Sequence, residues 1–233
     1  MTTSAEGQGA GPVSDERRQP PLQNRVMPTG EVVSHPGRGM LMGNRGCIHS
    51  PDRTLGVSRW RSSLWISCVL DFRGWKRDVM PPGRWTALFF LDEVTALAAG
   101  HRPCGFCRED DHRWFGESWR AAAGLAARPT AAQMNARLHA ERVDSRTRRQ
   151  RTREAVLGDL PDGAMVRYAG GPALRSGSAL LPWSFDGYGP PARPAPDTRV
   201  ELLTPPAIVG VLRAGYLPLI HPSAGPTSMR AFS

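Results

Sequence analysis

Lysine is all but absent from this chain. Lys76 is the only one in 233 residues, and arginine supplies the other 29 basic side chains against 21 acidic ones, for a formal net charge of +9. A biased code explains arginine standing where lysine would, but not the excess of base over acid, and that excess points to an acidic partner, nucleic acid before an anionic surface. Long hydrophobic runs are missing too. No segment approaches the roughly 18 apolar residues of a membrane span, and the polar, glycine-rich start of the chain has no apolar stretch of the kind a secretory signal carries. A cytoplasmic protein without a membrane partner is expected. Four cysteines are too few for a disulfide scaffold. No Ser-His-Asp order, paired carboxylate site or dinucleotide fingerprint is found. The loop Gly37 to Gly46, rich in glycine and arginine, lacks the Gly-Lys-Ser/Thr ending of a P-loop. It reads as a tight structural loop in which Arg38 and Arg45 are the side chains a phosphate would meet.

What is present suffices for a folded body, since 40% of the residues are hydrophobic. Residues 1–20 are expected to be a disordered tail, residues 21–158 an α+β domain, and residues 159–233 a small β-rich C-terminal unit, the two packing as one body. Val26 to Val33 reads as two short strands about a Pro-Thr-Gly turn. Leu64 to Phe72 alternates Leu64, Ile66, Cys68, Leu70 and Phe72 against Trp65, Ser67, Val69 and Asp71, the period of a half-buried strand with Cys68 on its apolar face. Trp85 to Leu91 is a further strand. Asp92 then caps a helix from Glu93 to Ala99, stopped by Gly100. A longer helix is expected from about Cys107 to Ala127, offering Trp114, Phe115, Trp119 and Leu125 to the core. Another, capped by Thr130, is expected from Ala131 to about Leu157. Beyond Leu160 short strands alternate with glycine and proline, and Thr204 caps a last short helix opening on Pro205 and Pro206. The fold class is therefore α+β: an N-terminal β-rich region built around residues 60–91, central helices, and a β-rich C-terminal unit.

The chemistry concentrates in His101-Arg102-Pro103-Cys104-Gly105-Phe106-Cys107-Arg108. Two thiols at Cys-x-x-Cys spacing can grip one soft metal ion. A redox pair would follow a strand in a βαβ unit, whereas a helix precedes this one. Metal is the better reading, and zinc the expected cofactor. Cys47, beside His49 in a loop, and His139 are the candidates for further ligands. His101 and His112 are read as structural or solvated, and Glu109-Asp110-Asp111 as acids suited to a first helical turn. The second strong signal is the run Ser145 to Arg153. Arg146, Arg148, Arg149, Arg151 and Arg153 have few acidic partners four residues away, so they are either a solvated helix face or a phosphate-binding stripe. Arg102 and Arg108, flanking the thiols, are further phosphate candidates.

From Phe90 to Cys107 the sequence Phe-Leu-Asp-Glu-Val-Thr-Ala-Leu-Ala-Ala-Gly-His-Arg-Pro-Cys-Gly-Phe-Cys resembles the second half of the Ada-type metal-binding domain, over roughly residues 85–110. In that family a strand, a helix ending in Ala-Gly-aromatic, and Arg-Pro-Cys-x-x-Cys supply two of four thiolates around zinc in a DNA-contacting domain. The resemblance implies a zinc knuckle in a nucleic-acid-associated protein. The family's upstream cysteine pair is missing here, so its methyl-transfer chemistry is not carried over. A second reading starts from Leu138-His139-Ala140-Glu141. One His and two Cys holding zinc, with Glu as proton shuttle, is the equipment of zinc deaminases and hydrolases. It would use Cys104, Cys107 and His139, with Glu141 as the catalytic group, although the order of ligands is reversed. A third reading is a non-catalytic interaction scaffold.

Overall fold

The computed structural model describes residues 20–75, 78–226 and 229–231. The expected tail, but for its last residue, falls outside them, as does Lys76. The architecture is α+β, as expected: an N-terminal mixed sheet, central helices and a C-terminal antiparallel sheet. Strands β1 (Gln23–Val26) and β2 (Val32–Ser34) form a hairpin about the Pro-Thr-Gly turn. Strand β3 (Leu41–Asn44) pairs antiparallel with β4 (Ile66–Val69) on one side and β5 (Leu88–Phe90) on the other. The two-residue strand β6 (Arg102–Pro103) lies parallel to β4, and β1 lies parallel to β5, so the order is β2-β1-β5-β3-β4-β6.

The alternation around β4 is real but inverted at its ends. Trp65 and Ser67 are buried with Cys68, while Leu64 and Leu70 are among the exposed large apolar residues. Met80 and Ala87 pack with Cys68, and Arg108 donates to Ser67 Oγ at 2.9 Å, so neighbours on either side of the chain are buried, and local alternation cannot say which residues lie inside.

Helix α1 (Glu93–Ala98) is buried on every side. Asp92 caps it by accepting the Thr95 N–H at 3.0 Å and the Thr95 hydroxyl at 2.7 Å. Gly100, at φ +81°, ends it in a paired-bond stop: its N–H donates to Leu97 O and that of His101 to Ala96 O, both at 2.9 Å. A helix so enclosed is mostly apolar, and its two polar side chains, Glu93 and Thr95, are both hydrogen-bonded. Ala96 and Ala99 face Val26, Leu41, Leu88 and Phe90 of the first sheet. Val94 and Ala98 join Met165, Leu174, Leu181 and Trp183 of the second. Leu97 packs among Phe115, Trp119, Met134 and Leu138 of the helices that follow.

Helix α2 (Glu109–Ala122) is shorter than expected at both ends, and Leu125 lies past its end, exposed. Helix α3 (Ala131–Arg142) opens on a Thr130/Gln133 capping box but stops fifteen residues before the expected Leu157. Val143 is already extended. Asp144 then takes the N–H groups of Arg146 (3.0 Å) and Thr147 (2.8 Å) on its side chain. A short acceptor of this kind offers the backbone a turn in place of a helix, and the arginines that follow have too few acidic partners to resist. The chain returns as β7 (Arg153–Val156), which joins β8 (Met165–Tyr168), β9 (Gly171–Ser176), β10 (Ala179–Ser184), β11 (Gly187–Tyr188) and β12 (Arg199–Leu202) in the order β11-β10-β9-β8-β12-β7. Helix α4 (Pro206–Arg213) is not capped by Thr204, whose hydroxyl accepts the Met165 N–H at 2.8 Å. Strands β13 (Leu219–Ile220) and β14 (Arg230–Ala231) pair in parallel.

The two carboxylates at the start of α1 bind these parts together. Asp92 also accepts the Tyr188 hydroxyl (2.7 Å) and the His221 N–H (3.1 Å). Burial pushes its carboxyl above the ordinary value, and these hydrogen bonds oppose the shift. Glu93 accepts the Tyr216 hydroxyl (2.6 Å) and the Leu219 N–H (2.8 Å), and pairs at 2.8 Å with Arg108, which Asp111 also holds at 2.7 Å. Removing one partner of a buried pair leaves the other charge without compensation. Glu93→Gln is therefore expected to cost about 3 kcal/mol in urea unfolding, and Tyr216→Phe about 1.5–3 kcal/mol, the range for a hydrogen bond to a charged group. Unchanged midpoints would show that this junction carries no load.

Candidate metal centre

The knuckle is put in place by strand pairing. Strand β6 lies beside β4, with the Arg102 N–H on Trp65 O at 3.2 Å and the Cys104 N–H on Ser67 O at 3.0 Å. That register sets Cys104 next to Cys68. The chain then turns, with the Arg108 N–H returning to Cys104 O at 3.1 Å, and Cys107 swings back toward both. The sulfurs of Cys68, Cys104 and Cys107 lie within 4.8 Å of one another. Met42, Met80, Ala87 and Phe89 wall the group on the apolar side. Gly105 lies close to His112: a Cβ there would stand 3.1 Å from its Cδ2, a tight contact.

The electrostatics suit a thiolate cluster. The Cys104 thiol is held far below its ordinary value, first because Cys107 and Cys68 donate to its sulfur, then because the backbone N–H groups of Cys107 and Phe106 do, the latter at 3.4 Å. Cys68 and Cys107 are pushed up, chiefly by sharing a proton with Cys104 and by burial. One charge is welcomed and the next two are resisted. A cation among the three sulfurs would remove that resistance, since metal ligation requires deprotonated thiols. Soft sulfur donors favour zinc or another soft metal over hard cations. Zn–S bonds near 2.3 Å in a tetrahedral set put sulfurs about 3.8 Å apart, which the observed clustering accommodates. A buried group of three cysteines able to hold a metal ion is thus present.

Among the described residues no fourth His, Cys, Asp or Glu joins the three at that spacing. Of the ligands expected from the sequence, Cys104 and Cys107 come together and the other two do not join them. The Cys47 thiol faces His49 O at 3.7 Å in its own loop. His139 stands edge-on to Trp60 and Trp65, with ring centroids at 5.5 and 6.3 Å, and its Nδ1 is 3.3 Å from Arg142. The third thiol is Cys68, which strand alternation assigns to the core; the parallel β4–β6 pairing that delivers it has no local signature. Glu141 is likewise occupied elsewhere. It takes the Ala207 N–H at 2.8 Å, supplying α4 with the N-terminal acceptor that Thr204 does not, and pairs with Arg137. The His139–Glu141 equipment of a hydrolytic site is therefore not assembled at the thiols.

The basic residues divide sharply. Arg102 and Arg108 are 2% and 5% exposed. Arg102 donates to Asn135 at 2.8 Å and Arg108 is held by Glu93 and Asp111, so neither is open to phosphate. Arg146, Arg148, Arg149, Arg151 and Arg153 are all exposed, on the turn held by Asp144 and the first residue of β7. Among the described ion pairs only Arg151 of these five has a carboxylate, Asp144 at 3.6 Å. No helix of the described residues is long and apolar enough to cross a membrane.

Compared with protein-family models, curated proteins and solved structures, the chain matches none of them. The thiol geometry makes its own demand on experiment. Protein purified with bound metal should lose it in Cys68→Ser, Cys104→Ser and Cys107→Ser and keep it in Cys47→Ser and His139→Ala, read as metal per chain by plasma mass spectrometry. Retention in Cys68→Ser with loss in His139→Ala would reverse the assignment.

Proposed function

We propose that this chain is a zinc-containing nucleic-acid-binding protein with an Ada-like knuckle. Cys68, Cys104 and Cys107 hold the zinc, and the arginine turn 146–153 carries the phosphate contacts. The observation that supports the nucleic-acid reading is the turn itself: five exposed arginines, four without a carboxylate partner among the described residues, on a backbone ordered by Asp144. Like charges at this density repel one another; phosphates of a polyanion would offset that repulsion, and the counterions condensed on the nucleic acid would be released.

The zinc in this reading is structural. Bound there, it ties the end of β4 to the chain leaving α1 and entering α2, a place where only two residues of β6 pair. The protein residues do the remaining work. Backbone N–H groups hold the Cys104 sulfur, and Glu93 and Asp111 hold Arg108 at the start of α2, one residue after Cys107.

Duplex binding followed by fluorescence anisotropy between 50 and 200 mM salt tests the reading. If all five arginines contact phosphate, the logarithm of the association constant should fall against the logarithm of salt with a slope of about −4.5. Replacing Arg146, Arg149 and Arg153 together by alanine should flatten it by about 2.7, with metal content unchanged. No binding at 50 mM salt, or an unaltered slope in the triple variant, would overturn the proposal.

A further inference from the structure

A cleft of about 970 Å³ opens where the β1–β2 turn, β3 and the arginine turn meet, lined among others by Arg45, Trp65, Arg142 and Gln150. Arg45 and Arg142 are 2% and 1% exposed. Both guanidinium carbons lie over the Trp65 ring, 4.1 and 3.7 Å from its centroid. Their hydrogen bonds go to neutral acceptors. Arg45 donates to Gly30 O at 2.8 Å and meets His101 Nε2 at 3.4 Å; Arg142 donates to Gly100 O at 2.7 Å and Ser63 O at 2.8 Å. Neither has an ion pair among the described residues. Arg108, buried to a similar degree, has two carboxylates; Arg102, also buried and without an ion pair among the described residues, meets Asn135 and Pro103 O and has no buried donor left unmet.

The same place collects the unmet polar atoms. Arg45 Nη2, Arg142 Nε, His101 Nδ1 and Gln150 Oε1 are buried without a hydrogen-bond partner among the described residues. Arg45, Arg142 and Gln150 line the cleft, and His101 packs against Trp65 at 5.2 Å. The three nitrogens of this cluster call for a missing acceptor, whereas Gln150 Oε1 is itself an acceptor that an anion does not meet. Burial, with Arg59 beside Arg45 and with Arg45 and Arg102 beside Arg142, pushes both guanidiniums down in basicity. An arginine nevertheless keeps its proton in proteins, and an anion is the partner that would meet the free donors and offset both charges together. Planar forked donors match a phosphate group best, and Arg148 and Arg149 at the rim add to the positive field.

We infer that this cleft is a receptor for a phosphate monoester group, bound against Arg45 and Arg142 on the Trp65 platform with Arg59 and Arg149 at the mouth. The group belongs either to a small phosphorylated ligand or to the end of a nucleic-acid strand lying along the arginine turn. Only the second source rests on the function proposed above.

The experiment is titration calorimetry of the full chain with inorganic phosphate at constant ionic strength, with acetate as the control anion. Saturable 1:1 binding of phosphate but not acetate is expected. It should weaken at least tenfold in Arg142→Gln, and at least threefold in Arg59→Ala, an exposed site that keeps the variant folded even where Arg142→Gln does not fold. Absence of saturable phosphate binding, or undiminished binding in Arg59→Ala and in any folded Arg142→Gln, would overturn the inference. A 5′-phosphorylated single strand compared with its 5′-hydroxyl counterpart identifies the source. A tenfold preference for the phosphorylated end assigns the cleft to a strand terminus; equal binding, beside a positive phosphate titration, assigns it to a small ligand. Failure of the 5′-hydroxyl strand and of duplex to bind at 50 mM salt removes the nucleic-acid reading alone and leaves the phosphate result standing.

Discussion

Two adjacent carboxylates with no exposure to solvent, Asp92 and Glu93, sit at the entrance of a six-residue helix, and most of the tertiary structure converges on them. Taking such groups out of water is costly unless every lone pair finds a donor. Here the donors come from far along the chain: Tyr188 in the second sheet, His221 and Leu219 near the last strands, Tyr216 after α4, and Arg108 at the start of α2. The burial of α1 and the docking of the C-terminal sheet are therefore one event. A chain that misplaced either would leave carboxyl oxygens without partners in a low-dielectric interior.

The helix so anchored delivers the thiols. Its glycine stop turns the chain into β6, β6 pairs with β4, and that pairing sets Cys104 beside Cys68 before the turn returns Cys107. Arg108, one residue later, closes the circuit by reaching back to Glu93. Two of the three clustered thiols and the junction between the sheets thus share a single short segment, residues 92–108, and strain in one would be felt in the other.

Arginine plays three separate parts in this protein, and the surroundings decide which. Arg108 is buried and doubly compensated, and serves structure. Arg45 and Arg142 are buried over one tryptophan with neutral acceptors only, and leave donors unmet. The arginines from 146 to 153 are exposed and nearly free of acids. Sequence patterning groups Arg102 and Arg108 with the exposed run because their charge is the same. It offers no sign of which guanidinium will meet a carboxylate from a distant element.

The sequence by itself determined the α+β class, the caps of α1 and α3, the glycine that ends α1, and the Cys104–Cys107 knuckle. These are local matters, decided by side chains within a few residues of one another: Asp92 with Thr95, Thr130 with Gln133, Gly100 at a positive φ. Tertiary structure alone decided the third thiol, the service of Glu141 as the acceptor for α4, and the meeting of Arg45 with Arg142 on Trp65. The reason is physical. Each of those outcomes turns on contacts between segments tens of residues apart. A cysteine on the apolar side of a strand looks the same from its neighbours whether it packs against methionine or completes a metal site; only the strand that pairs beside it makes the difference.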